Sequence, residues 1–428
     1  MKRRVVVTGV GMVTPLGLSA QATWGNLIAG RSGIETISLF DAGGFPSKIA
    51  GEVRGFDFNR WKIKDPALRD AGRGTFFALE AAEEAFRDSR LRLFNVKSER
   101  FGLYFGAGDS GQDFDAFVNT IASSWNDDGS LNREKYVQSS LNIMSPMREL
   151  EHQPFMTLTH LARHFDIRGP VANSLTACAA SSQAIGEAYE WIKGGAADIV
   201  MSGGSHSMIY PLGVAGFSLL TVLSKRNDEP HKASRPFEKN RDGFVMAEGA
   251  GVMILEELSH ALKRRAKIYG EIVGYGSTAD AYRLTDMDPE GKSGAEAIRQ
   301  ALEKGSLSYK DIDYISAHGT STSVNDLTET VVIKKVFKDK AKDIPVSSIK
   351  SMLGHMIASA GVVEAIVCFQ AMRDSAVPPT INFDEPDPDC DLDYVPNKAR
   401  RMAVHTAVSN SFGFGGQNIC LAMRRYDH

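Results

Sequence analysis

The sequence predicts an α/β protein built from two similar halves around a largely buried sheet. Short apolar runs alternate with helix-period segments along the whole chain. That is the pattern of buried strands covered by helices. The chain also repeats itself. VVVTGVG, LYFGAGDS, NSLTACAASSQAIGEA and DIVMSGGSHS follow one another in the first half. EIVGYGS, DYISAHGTSTS, SSIKSMLGHMIASAGVVEA and TAVSNSFGFGG follow in the same order in the second. Each series places Gly- or Ser-rich turns after strands. The boundary falls near Glu256 to Lys267, which divides the chain into 1–258 and 259–428. A site would then lie between the halves, at the carboxyl ends of strands.

The elements follow in order. Val5 to Val7 reads as a buried strand, and Gly9 to Gly17 as a turn into a helix. The basic start and apolar run imitate a signal peptide, but Gly9, Gly11, Pro15 and Gly17 interrupt the run. Gly74 to Asp88 has helical spacing, and Leu103 to Phe105 reads as a strand. Asn126 to Lys135 is the most polar candidate loop. Val171 to Leu175 is extended and runs into a helix over Ser182 to Lys193. Ile199 to Ser224 holds no Lys, Arg, Asp or Glu and is long enough to span a bilayer. Its Gly203-Gly204, His206 and Pro211 instead suit a strand, a glycine turn and a short helix. Gly251 to Leu255, Ile312 to Ile315 and Ala407 to Val408 complete the strands. Gly294 to Lys304 and Gly361 to Met372 complete the helices.

Composition narrows the function classes. The 428 residues carry a net charge of -3, against the basic excess of a nucleic-acid binder. The cysteines Cys178, Cys368, Cys390 and Cys420 form no CxxC pair, so neither a disulfide scaffold nor a zinc cage is indicated. A reducing cytoplasm is the default compartment.

Thr176 to Ser182 is the most informative segment. Cys178 falls where an extended stretch meets a helix rich in small residues. A helix N-terminus offers unpaired N–H groups and partial positive charge, which favour thiolate. The segment alone reads equally as a nucleophile or as a small core residue. His318 opens His-Gly-Thr-Ser-Thr after a strand, and His355 precedes a helix of small residues. Each is placed to donate an N–H into a cleft, or to be satisfied by backbone. His152, His160, His164, His231 and His428 read as surface or structural, and no HExxH metal spacing is present. Gly413-Phe414-Gly415-Gly416 reads either as backbone brought close to a ligand or as a hairpin turn before the last strand.

Eight segments taken together resemble the β-ketoacyl-[acyl-carrier-protein] synthases of the elongating KAS II type. They are VVVTGVGMVTPLG, TACAASS, RPFEKNRDGFVMAEGAG, AHGTSTSVND, IKSMLGHMIASAG, VPPTIN, PDCDLDYVPN and NSFGFGG. The resemblance spans almost the whole chain and implies the thiolase fold, two duplicated halves in a five-layer αβαβα sandwich. It implies Cys178 as the acyl-accepting nucleophile. His318 and His355 would assist decarboxylation of malonyl-carrier protein and stabilise the enolate. Lys350 matches the family's buried lysine, Glu329 its glutamate partner, and Asp326 lies nearby. The oxyanion hole falls to the backbone N–H groups of Cys178 and Phe414. Thr320 and Thr322 match positions that hydrogen-bond the phosphopantetheine arm, and Phe412 and Phe414 the acyl gate. Arg69, Arg73, Lys225 and Arg226 match positions that dock an acyl carrier protein. No metal or organic cofactor is implied, because the substrates ride on the carrier's phosphopantetheine. A cytoplasmic homodimer is expected, with a heterodimer of related subunits as the alternative.

The chain departs from that pattern in places. Asp109 to Met156 matches poorly, Gln417 replaces a threonine, His206 replaces a glutamate or similar residue, and Asp70 stands where a basic residue is common. These departures keep open a dedicated polyketide or polyene ketosynthase. An inactive chain-length partner would lack the cysteine. A thiolase would use a second cysteine in the C-terminal half, and the paired histidines suit it less well.

Overall fold

The computed structural model describes residues 3–92, 96–108 and 113–427. Ten strands form its main sheet. These are β1 (Val5–Val13), β2 (Phe101–Ala107), β3 (Val171–Ser174), β4 (Ile199–His206), β5 (Gly249–Glu257), β6 (Gly270–Ala279), β7 (Tyr314–Ser316), β8 (Val346–Ser347), β9 (Thr406–Gly413) and β10 (Gln417–Arg424). Their spatial order is β8-β7-β9-β10-β6-β1-β5-β4-β2-β3. Each side of the β6/β1 junction repeats one arrangement: β3-β2-β4-β5-β1 on one side, β8-β7-β9-β10-β6 on the other. The pairing repeats too. The three outer strands of each series are parallel, and the remaining contacts are antiparallel. Val5 to Val7 pair with Gly270 to Ile272 and join the two series edge to edge.

Helices cover and separate the two series. α1 (Arg73–Ser89) and a helix over Pro154–His164 pack on the first, the latter closing an inserted helical region. That region contributes α2 (Phe114–Ala122), α3 (Arg133–Ile143), α4 (Pro146–Glu151) and α5 (Pro154–His164). Between the two series lie α6 (Ala180–Lys193) and α9 (Ala360–Asp374), packed on each other. α7 (Lys292–Lys304) and α8 (Ser323–Phe337) cover the far side. The result is five layers, α-β-α-β-α. Every residue of α9 from Ala360 to Met372 is buried. A helix apolar nearly all round belongs in such a central layer. Each large core side chain buried, such as Phe77 or Phe369, contributes roughly 1.5–3 kcal/mol.

Several glycines expected to make turns lie inside strands. Gly9 and Gly11 belong to β1, where an added Cβ would strike the backbone oxygens of Ala85 and Ala81 on α1. Gly274 and Gly276 in β6 face Ala301 and Ala297 of α7 in the same way. Gly203 and Gly204 are likewise inside β4, against the Gly251 and Ala358 backbones. Glycine there lets helix and sheet approach closely. The turn after β1 comes later, at Thr14 to Gly17.

The polar stretch Asn126 to Lys135 is also shorter as a loop than expected. Trp125 pairs with Leu131, and α3 begins at Arg133, capped by Asn132. α3 buries no side chain and exposes Val137, Leu141 and Ile143. Of the poorly matching stretch, residues 109–112 lie outside the described residues, as does His428. No helix among the described residues is long and apolar enough to cross a membrane.

Candidate active site

Both series end in the same sharp turn. After β3 the chain passes Ala177 at φ +46°, makes one 3₁₀ turn over Ala177–Ala179, and enters α6. In the second half Ile357 has φ +45°, followed by a 3₁₀ turn over Ile357–Ser359 and α9. Non-glycine residues in this region cost of order 1–3 kcal/mol, and such strain clusters at functional sites. The two elbows pack against each other. The first carries Cys178; the second carries Ala358 at the equivalent position.

His318 follows β7, and His355 lies just ahead of the second elbow. The Cys178 Sγ and one ring nitrogen from each histidine all lie within 4.8 Å of one another, and all three residues are buried. The imidazole rings stand nearly perpendicular, with centroids 5.4 Å apart. Their hydrogen bonds settle which nitrogen carries the proton. The Ile357 N–H donates to His355 Nδ1 at 3.2 Å, so Nε2 bears the hydrogen. That Nε2 is buried and has no partner among the described residues. The Lys350 ammonium lies 3.4 Å from His318 Nδ1 and donates to the His318 carbonyl oxygen at 2.6 Å. An ammonium can only donate, so His318 also carries its proton on Nε2. Burial, reinforced by Lys350, holds both histidines well below their ordinary pKa. They are neutral N–H donors at neutral pH. A Cys-His-His cluster can in principle hold a metal ion, but an ammonium beside His318 opposes a dication.

The buried lysine has a different partner from the one expected. Lys350 pairs with Glu364 on the first turns of α9, not with Glu329. Glu329 instead accepts the backbone N–H groups of His318 and Gly319, at 2.9 and 2.8 Å, and Asn410 at 3.2 Å. Both its oxygens are spent holding the His318 turn. Burial pushes Glu329 up to about 7. Asp326 accepts from the backbones of Phe237 and Ser321 and lies 3.7 Å from Arg241. It braces the same loop from behind. Glu364 was visible in the sequence as the one acidic residue within VVEAIVCFQAM. A carboxylate in a wholly buried helix needs a buried cation.

The thiolate expectation is corrected as well. Burial pushes the Cys178 thiol up to about 11, while Lys350 and the backbone N–H groups of Phe414 and Cys178 pull the other way. The helix end does not overcome desolvation. Alkylation of Cys178 by iodoacetamide should therefore keep rising about tenfold per pH unit beyond pH 9. A plateau at or below about pH 8 would mean a preformed thiolate.

A cavity of about 300 Å³ opens onto the cysteine. Thr320, Thr322, Phe412 and Phe414 line it, together with all three reacting-type residues. The two threonine hydroxyls are 2.9 Å apart. Phe412 is buried in β9 with its ring 5.9 Å from that of His318, whereas Phe414 is only half-buried. Gly413 to Gly416 closes the β9–β10 hairpin, and Gly413 and Phe414 line the cavity. Beyond Cys178, Ile209, Val214, Phe244 and Ile357 form an apolar cluster.

Two groups of residues behave otherwise than expected or escaped notice. Arg73 is not a free surface cation. It forms a bidentate pair with the buried carboxylate of Glu248 and covers Phe58 and Phe77. Arg226 lies 3.6 Å from Asp242 and donates to the Asn240 carbonyl. Arg69 and Lys225 are exposed, Arg69 beside Asp70. His206, at the end of β4, is buried with neither ring nitrogen partnered among the described residues, and burial lowers it to about 4.

The duplicated five-layer sandwich with a cysteine elbow facing two histidines defines a thiolase-fold acyltransferase. Residues 2–261 match the family model for the N-terminal domain of beta-ketoacyl synthase, and residues 269–384 the model for its C-terminal domain. The chain belongs to the β-ketoacyl synthase family. It is 42% identical to a 3-oxoacyl-[acyl-carrier-protein] synthase 2 of Synechocystis sp. and 41% identical to one of Coxiella burnetii, with 99% of each chain covered. Among solved structures it resembles the ketosynthase in a type II PKS acyl-carrier protein complex (34% identity) and the ishigamide ketosynthase/chain length factor (33%). Both superpose with a TM-score of 0.88 over 100% of each chain.

Proposed function

We propose that this protein condenses an acyl group with malonyl-acyl carrier protein, lengthening the chain by two carbons with loss of CO₂. The observation that carries the reading is the convergence of the Cys178 sulfur with two neutral histidines. In the first step Cys178 attacks the carrier thioester. The backbone N–H groups of Cys178 and Phe414 hold the oxyanion, the Cys178 proton passes to the departing phosphopantetheine sulfur, which leaves as a thiol, and the acyl chain stays on Cys178. In the second step the malonyl C–C bond breaks. Its electron pair passes to the thioester oxygen, which accepts from Nε2–H of His318 and His355. The enolate carbon then attacks the acyl-Cys178 carbonyl and expels the sulfur. Lys350, held by Glu364, orients His318; Glu329 and Asp326 fix its loop. Thr320 and Thr322 hold the pantetheine arm, and Phe412 and Phe414 border the acyl entrance. None of these steps calls for a metal or organic cofactor. The nucleophile comes from the half 1–258 and both histidines from 259–428.

The relatives named for acyl-carrier-protein substrates support the carrier as partner. Exposed Val137, Leu141 and Met147 in the inserted helical region, and exposed Phe155 beside the edge strand β3, support a dimer of this chain. Four buried, unpaired cysteines suit a reducing cytoplasm. A polyketide ketosynthase is the second reading, favoured by the solved neighbours. One experiment tests both. Intact-protein mass spectrometry after mixing with carriers loaded with saturated or oxygenated chains should show one acyl adduct, on Cys178. Saturated adducts support fatty-chain elongation, oxygenated ones the polyketide reading, and none at all refutes both.

A further inference from the structure

The rim of the cavity is apolar where a charged docking patch was expected. Leu219 and Leu220 close a short helix over Pro211–Leu219, Tyr282 and Leu284 come from the segment after β6, and Val324 and Leu327 lie on the first turns of α8. All six are exposed, and Leu219 and Leu284 are 84% and 85% so. Leu220 and Val324 line the cavity, and Thr285, next to Leu284, does too. Gly415 of the hairpin donates to the Leu284 carbonyl at 2.7 Å, which ties that segment to the cavity wall. Three separate segments therefore put large apolar side chains around one opening. Scattered exposed leucines need no explanation, but a cluster at a substrate entrance does.

The charges nearby are mostly spent. Arg73 is locked to Glu248, Arg226 faces Asp242, Arg69 faces Asp70 at 3.4 Å and Arg283 faces Asp286 at 3.2 Å, which leaves exposed Lys225 as the remaining docking cation. Cations paired in this way leave little net field for steering an acidic partner. We infer that the carrier protein docks on this apolar rim through apolar side chains surrounding its phosphopantetheine arm, with charge as a minor contributor. This rests on the ketosynthase reading, since only a carrier-borne thioester brings a protein surface against the rim when its arm reaches Cys178.

The test compares acyl transfer to Cys178 from a carrier protein with transfer of the same acyl group from free pantetheine. Neither Leu219 nor Leu284 lines the cavity. A Leu219→Asp, Leu284→Asp variant should raise the KM for the carrier about tenfold or more while leaving transfer from pantetheine unchanged. For the wild-type protein, raising salt from about 50 to about 500 mM should change the carrier KM by less than about threefold. An unaltered carrier KM in the variant, an equal loss with both donors, or a steep salt dependence would overturn the rim. If the wild-type protein takes acyl groups from neither donor, the functional reading itself falls, and the rim with it.

Discussion

Replacing Cys178 with alanine should leave a folded protein that accepts no acyl group. The fold itself carries the precedent: the second elbow already holds Ala358 at the matching position, after a residue with the same positive φ. Alanine therefore fits the turn, and only the sulfur is lost. Condensation should fall by at least about three orders of magnitude, as when a covalent nucleophile is removed. Acyl labelling from a loaded carrier should vanish in the mass spectrum. Decarboxylation is expected to behave differently. It draws on His318 and His355 rather than on the sulfur, so Cys178→Gln should still release CO₂ from malonyl-carrier protein. Labelling of Cys178→Ala would place the nucleophile elsewhere. Loss of CO₂ release together with loss of labelling would tie the histidines to the thiol.

His318→Ala and His355→Ala should each slow decarboxylation by about 10²–10³-fold, the usual consequence of deleting one donor to a developing oxyanion. Measuring CO₂ release in the Cys178→Gln background isolates this step. The pH dependence carries a further expectation. In the folded protein both histidines titrate well below their ordinary range, because burial and the Lys350 charge disfavour imidazolium. The neutral form is thus the folded form. Its contribution is complete above the unfolded pKa of about 6.5 and is lost only as pH falls towards the lower folded values. CO₂ release should stay level on the acid side between about pH 7.5 and 6. A limb with its midpoint near 6.5 would mean that solvent reaches the imidazoles, contrary to the burial of both rings.

Much of the site was legible as pattern. Cys178 and His318 each sit beside glycine or small residues after a strand, His355 follows Gly354 ahead of a small-residue helix, and the two halves repeat those turns in the same order. The glycines were harder to read. Gly9, Gly11, Gly203, Gly274 and Gly276 look like turn residues, because glycine next to a short apolar run usually ends it. Gly9, Gly11, Gly274 and Gly276 make room for a helix and Gly203 for the backbone of strand β5, neighbours whose identity depends on the packing. The Glu364 partner was missed for a related reason. Glu329 is closer in sequence to His318, but which carboxylate reaches the Lys350 ammonium depends on how α9 passes between the sheets.

Sequence by itself determined the alternation of strand and helix, the duplication, and the residue types able to attack a thioester and hold an oxyanion. These depend on periodicity and side-chain chemistry, which are local. Tertiary structure alone decided the protonation of the cysteine, the neutrality and tautomers of the histidines, and the use of Arg73 as an internal counter-ion. Each of these is set by desolvation and by charges or N–H groups from distant segments. Cys178 is held as a thiol because the folded core excludes water. Its helix-end position alone pointed the other way.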